Sequence, residues 1–158
     1  MRRYWDSCAF LAWLQNESGR ADACADTLEE AKKGEFVILT SALTLTETLW
    51  LRGGPKLGED KARLLNGFFR RSFLRVVNVD RGVAEEAQRL VWNDDIKPKD
   101  AIHVATALRY RCPILETFDA PLVGKSGVGG LTIREPMRAA QPSLALTPPG
   151  GNDGQEAD

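Results

Sequence analysis

Four carboxylates, Asp6, Glu47, Asp100 and Asp119, stand beside apolar stretches where a neutral side chain would be cheaper to bury. Asp6 follows Tyr4 and Trp5 and precedes the apolar run from Cys8 to Leu14. Glu47 lies inside Leu43 to Leu51, Asp100 opens the apolar segment Ala101 to Leu108, and Asp119 closes the stretch that begins at Pro113. A carboxylate at the edge of a core loses hydration, which is unfavourable unless something neutralises it. Four such groups spread through one chain point to one shared cation. Oxygen donors without accompanying histidine or thiolate suit Mg²⁺ or Mn²⁺ and not Zn²⁺.

The elements that must position these acids alternate between strand and helix. Arg2 to Asp6 reads as a short aromatic strand and Ser7 to Gln15 as an apolar helix. Ala21 to Lys33 is an amphipathic helix with acids early and lysines late, stopped by Gly34. Phe36 to Thr40 is a continuous apolar run of strand length, as in a parallel sheet covered on both faces. Leu43 to Leu51 is expected to be a helix ending at Gly53-Gly54-Pro55, and Glu59 to Phe73 a long basic one. Leu74 to Val79 is a strand, and Asp80 is placed to cap a helix over Arg81 to Trp92. Pro98 marks the start of a helix running to about Arg111, followed by strands at Pro113 to Thr117 and Leu131 to Glu135.

Apolar strands alternating with helices predict a three-layer α/β/α sandwich around a mainly parallel sheet. Ligands of such folds gather beyond the carboxyl ends of the strands. Asp6 and Asp119 fall at two such ends, and Asp100 opens the helix that leads into the strand before Asp119. At 158 residues the chain holds one domain with a substantial core. We expect that domain to span residues 1–138. Residues 139–158, rich in Pro and Gly and without aromatics, read as a disordered tail.

The net charge of -1 excludes little, but its distribution is uneven. Residues 52–81 carry eight bases, including Arg70, Arg71 and Arg75, against three acids. That excess beside an acidic site suits a polyanion held near a metal; a solvated helix face is the other reading of the same charges. Cys8, Cys24 and Cys112 are widely spaced and form no metal or redox motif, so a reduced interior is expected. Asp6 interrupts what could otherwise be a signal peptide. Nor does any segment approach the roughly 18 to 20 apolar residues that cross a bilayer. The expectation is a cytoplasmic protein with no membrane partner.

The order of Asp6-Ser7, a helix bearing Glu47, the segment Lys97-Pro-Lys-Asp100-Ala-Ile-His-Val-Ala-Thr-Ala-Leu108, and Thr117-Phe-Asp119 resembles the PIN domain family. In size and layout it is most similar to the VapC-type toxins of bacterial toxin–antitoxin pairs, over residues 2–136. The segment around Asp100 is the most specific part of the match. The resemblance implies a metal-dependent endoribonuclease. Asp6, Glu47, Asp100 and Asp119 fall on the family's acidic metal-binding positions and Thr117 on its late hydroxyl position. It also implies an RNA substrate, a small antitoxin partner and a homodimer.

On this model Asp6 and Asp100 are the core ligands, Asp119 acts directly or through water, and Glu47 orients a water or supports a second ion. Thr117 and Ser7 would bond ligands or a substrate phosphate, while Lys97, Lys99, Arg70, Arg71 and Arg75 would contact phosphates without reading sequence. Plainer readings exist for three of the acids. Thr44 to Glu47 has the spacing of a capping box, Asp100 could complement a helix dipole, and Asp119 could be a turn residue. Asp94 and Asp95 read as a solvent-exposed turn. His103, the sole histidine, lies one turn after Asp100 and is read as packed in its helix and not as a general base. The tryptophans and Phe68-Phe69 read as core or interface residues. Two other functions share parts of the pattern. A receiver-like phospho-accepting domain would need a lysine near the acids, for which Lys125 is the candidate; a PIN-like module could also bind RNA or protein without catalysis.

Overall fold

The computed structural model describes residues 1–140, so nearly all of the expected tail lies outside the described residues. Strand β1 (Arg2–Trp5) leads into α1 (Ser7–Leu14) and α2 (Ala21–Lys32), followed by β2 (Val37–Ser41), α3 (Ala42–Glu47) and α4 (Glu59–Phe68). Then come β3 (Leu74–Val77), α5 (Arg81–Asp94), α6 (Pro98–Arg109), β4 (Ile114–Glu116), α7 (Ala120–Val123) and β5 (Thr132–Arg134). The strands form one sheet in the order β3-β2-β1-β4-β5, and every pairing is parallel. β1 therefore sits at the centre, and the chain moves outward from it to one side and then to the other. Acids following β1 and β4 meet because those strands are neighbours.

Successive side chains of a strand point to opposite faces, so a sheet covered on both sides needs apolar residues at every position. Tyr4, Leu39, Leu115 and Ile133 face one core with Val83, Leu90 and Val104 of α5 and α6. Trp5 and Ile38 face the other, with Phe10 of α1, Leu28 of α2 and Leu65 of α4. That is the expected three-layer arrangement.

Most boundaries fall within two residues of the sequence expectation, and three departures are larger. The helix expected to reach Leu51 ends at Glu47, because Trp50 pairs antiparallel with Lys56 and turns the chain into a hairpin. The basic helix stops at Phe68, not Phe73, since Phe73 already hydrogen-bonds the sheet through Ile38. The segment after Asp119 is the short helix α7, with Pro121 in its first turn, where a missing N–H costs nothing. Asp80 caps α5 as expected, accepting from Val83 N at 2.9 Å.

Candidate active site

The site begins with β1. Trp5 pairs with Glu116 of β4, so the residues just beyond, Asp6 and Thr117, emerge side by side. Asp6 is buried and caps α1, its Oδ1 accepting from Ala9 N at 3.1 Å. Its Oδ2 accepts from the buried Thr117 hydroxyl at 2.5 Å. Thr117 Oγ1 in turn accepts from the backbone N–H of Asp119 at 3.0 Å. One hydroxyl thus ties the first and last acids together.

Glu47 is the last residue of α3, brought to the site because β2 pairs with β1 and α3 follows β2 without a loop. The capping-box reading of Glu47 is not what the structure contains. Ser41 caps α3, accepting from Leu43 N at 3.1 Å, and Thr44 instead bonds Thr40 at 2.7 Å. The Ser7 hydroxyl donates to Glu47 Oε2, and His103 Nε2 lies 3.4 Å from the same oxygen. Glu47 Oε1 is buried with no hydrogen-bond partner. Asp100 sits in the first turn of α6, whose interior carries His103 on the same side one turn later.

Electrostatics show how close these groups lie. Burial pushes the Asp100 carboxyl up to about 6, with the charges of Asp119 and Asp6 adding to the shift. Burial also raises Asp6; the His103 ring and the Thr117 and Ala9 donors pull the other way without overcoming it. Glu47 behaves oppositely. Its burial penalty is outweighed by hydrogen bonding from His103 and Ser7 and by Lys99, which leaves it below the usual range. Cys8, half-buried beside the acids, has its thiol pushed up to about 12 by burial and then by Asp6, so it is not a nucleophile.

Asp100 and Asp119 also line a small depression of about 80 Å³ with Asp95, Lys97 and Lys125. Asp95 thus approaches the acids, although it remains exposed at the left-handed end of α5. Lys125 shares the depression with three acids, a place from which an ammonium can meet a phosphate as readily as an aspartyl group. Among the described residues, no three His, Cys, Asp or Glu side chains stand as a ready-made ion site. The donor set nevertheless fits a hard divalent cation. It is all oxygen, its members are crowded at an electrostatic cost, and Glu47 Oε1 is an orphaned buried acceptor.

Ser7, read as bonding a ligand or a substrate phosphate, donates to the ligand candidate Glu47. Sequence reasoning missed two residues. Tyr4 carried no signal beyond an aromatic strand, and its hydroxyl lies 2.7 Å from His103. Glu116 is buried in β4, accepting from Trp5 Nε1 at 2.8 Å and pairing with Arg134 at 3.2 Å and Arg3 at 3.5 Å. A charge within Ile114-Leu115-Glu116 was its only signal. The packed reading of His103 agrees with its burial, but the ring also touches Glu47.

Residues 3–123 match the family described as PIN domain. No curated protein sequence matches the chain. Among solved structures, a toxin-antitoxin complex from Klebsiella pneumoniae is similar with a TM-score of 0.58 at 20% identity, over 87% of this chain and 99% of that one. VapC20 from Mycobacterium tuberculosis, described as a sarcin-ricin loop cleaving toxin, aligns with a TM-score of 0.61 at 18% identity. That alignment covers 77% of this chain and 93% of VapC20. At these identities the likeness is one of fold.

Proposed function

From the premise that the chain belongs to the PIN domain family, we propose that it is a metal-dependent endoribonuclease and the toxin of a toxin–antitoxin pair. The observation that carries this is the cluster of partly and fully buried carboxylates, two of them held above their usual range, at the carboxyl ends of adjacent parallel strands. A stable fold has no reason to crowd such charges unless a cation joins them. Asp6 and Asp100 would hold a Mg²⁺ or Mn²⁺ ion, with Asp119 and Glu47 completing the set. When bound, such an ion supplies an activated water and offsets charge on the phosphodiester oxygens.

The chain's own residues do the rest. Thr117 fixes the Asp6 carboxylate by donating to Oδ2 and anchors the Asp119 backbone through the same oxygen. Ser7 and His103 engage Glu47 Oε2 and fix the carboxylate, which would orient a water or support a second ion. Lys97 and Lys125 at the depression, and Lys99 near Glu47, would draw in the RNA backbone. Arg70 and Arg71, although exposed, precede β3 and so lie at the amino edge of the parallel sheet, away from the acids; the structure does not bring the basic segment to the site. An antitoxin partner is supported by the toxin-antitoxin complex among the similar structures. A homodimer and a cytoplasmic location belong to the same reading; no helix among the described residues is long and apolar enough to cross a membrane.

The test is cleavage of a mixed cellular RNA pool by purified protein with Mg²⁺, with Mn²⁺ and with EDTA, beside Asp6→Asn and Asp100→Asn. Cutting should require the metal and disappear in both variants. RNA left intact under every metal condition by folded, inhibitor-free protein would leave a non-catalytic binding module as the better account.

A further inference from the structure

Tyr4 belongs to the central strand, is fully buried, and reaches toward α3 and α6 with its hydroxyl. That oxygen accepts from Ser41 N at 3.0 Å and lies 2.7 Å from His103 Nδ1. A tyrosine hydroxyl has one proton. The oxygen could accept from Nδ1–H as well as from Ser41 N, so it is the Glu47 carboxylate facing Nε2 that places the ring proton there and leaves the Tyr4 hydroxyl to donate to Nδ1. Nδ1 is then the accepting nitrogen, and the ring proton sits on Nε2.

Nε2 faces Glu47, at 3.4 Å from each carboxylate oxygen and in hydrogen-bond geometry with Oε2. Ser7 Oγ donates to that same Oε2. Two donors from different elements, α1 and α6, therefore hold one oxygen, while Oε1 remains buried and without a partner. The other tautomer would turn a lone pair of Nε2 toward the carboxylate, and the contact would be repulsive. His103 itself is shut off from any substrate by burial and has both nitrogens engaged.

We propose that Tyr4 and His103 are positioning residues: Tyr4 supports the ring tautomer that faces Glu47 with an N–H, and His103 with Ser7 fixes the orientation of the Glu47 carboxylate. Its consequence for cleavage rests on the nuclease reading above; the tautomer and the orientation of Glu47 do not. Outer partners of this kind change metal affinity or activity by about 10- to 100-fold when removed.

Nitrogen-15 spectroscopy of the metal-free full chain tests the first step, and the single histidine makes the signals unambiguous. Nδ1 should resonate as a pyridine-type nitrogen and Nε2 as a pyrrole-type nitrogen, and Tyr4→Phe should weaken that bias without reversing it, because Glu47 still faces Nε2. A proton on Nδ1 in the wild type would overturn the proposal. Mn²⁺ titration and cleavage kinetics test the second step. His103→Leu should weaken Mn²⁺ binding and lower kcat, each by about 10- to 100-fold, with KM for RNA unchanged. His103→Gln, which keeps a donor, should recover most of both. If His103→Leu does not fold, Tyr4→Phe carries the same comparison with almost no change of shape. Wild-type Mn²⁺ affinity and kcat in folded His103→Leu, or in Tyr4→Phe, would overturn the positioning role. Wild-type protein that leaves RNA intact would refute the nuclease reading alone, because the tautomer and the Mn²⁺ titration are read without cleavage.

Discussion

Removing one negative charge from the acid cluster should stabilise the metal-free protein while abolishing its activity. The Asp100 carboxyl is pushed from 3.8 to about 6, first by burial and then by Asp119 and Asp6. A shift of about 2 units at roughly 1.4 kcal/mol each sets a ceiling of about 3 kcal/mol on the penalty for ionising it in the fold. Asp100 is only half-buried, and solvent screening brings that to about 1–2 kcal/mol. The sign follows from linkage. Below pH 4 the carboxyl is protonated whether the chain is folded or not, and no penalty exists. Between pH 4 and 6 the folded state retains a proton that the unfolded state has lost, so stability falls as pH rises. Above pH 6 the penalty is complete.

Asp100→Asn keeps the shape and removes the charge. In EDTA at pH 7.5 its melting temperature should exceed that of the wild type by about 3–6 °C, at roughly 3 °C per kcal/mol. At pH 4 the difference should vanish. Saturating Mn²⁺ should reverse the order, since an ion at a hundredfold excess over its Kd adds about 2.7 kcal/mol to the form that binds it. Scanning calorimetry over the three conditions decides the matter. A variant less stable than wild type in EDTA at pH 7.5, or a gap of equal size at pH 4, would refute the claim that ionised Asp100 is a cost the metal-free fold carries.

Three further outcomes are expected. Thr117→Val removes the donor to Asp6 Oδ2 and should lower Mn²⁺ affinity about tenfold or more by titration; unchanged affinity would count against Thr117 as a support of the site. Glu116→Leu leaves Arg3 and Arg134 without their shared carboxylate, and each already has a buried, unpartnered Nε. Denaturant unfolding should show a loss of about 3 kcal/mol, whereas an unmoved midpoint would mean that this network contributes nothing net. Charge reversal at Lys97 and Lys125, which share the depression with Asp100 and Asp119, should weaken RNA binding and flatten its dependence on salt. If affinity and salt slope both stay put, these lysines are not on the RNA path.

The acids and the order of the elements were legible because both are local. A carboxylate flanked by apolar residues declares its cost in the sequence, and strands buried on both faces read as unbroken apolar runs. Asp6, Glu47, Asp100 and Asp119 could be singled out on that basis, and the stretch from Asp100 to Leu108 carried the family resemblance. Helix periodicity located α2, α5 and α6 to within a few residues. What escaped depended on pairing across the chain. The end of α3 is set by the contact of Trp50 with Lys56, over a Gly-Gly-Pro turn that permits it without requiring it. The tryptophans look alike in sequence, yet Trp5 is fully buried while Trp50 and Trp92 are 68% and 82% exposed. Register, which composition does not reveal, decides that Glu116 meets Arg134 and stands beside Trp5. Tyr4 and His103 lie 99 residues apart, and His103 and Glu47 lie 56 apart. The chemistry of the acids was therefore written in residue types, whereas their orientation was not. A hydrogen bond needs a direction as well as a partner, and only the parallel sheet, by placing β1 between β2 and β4, supplied both.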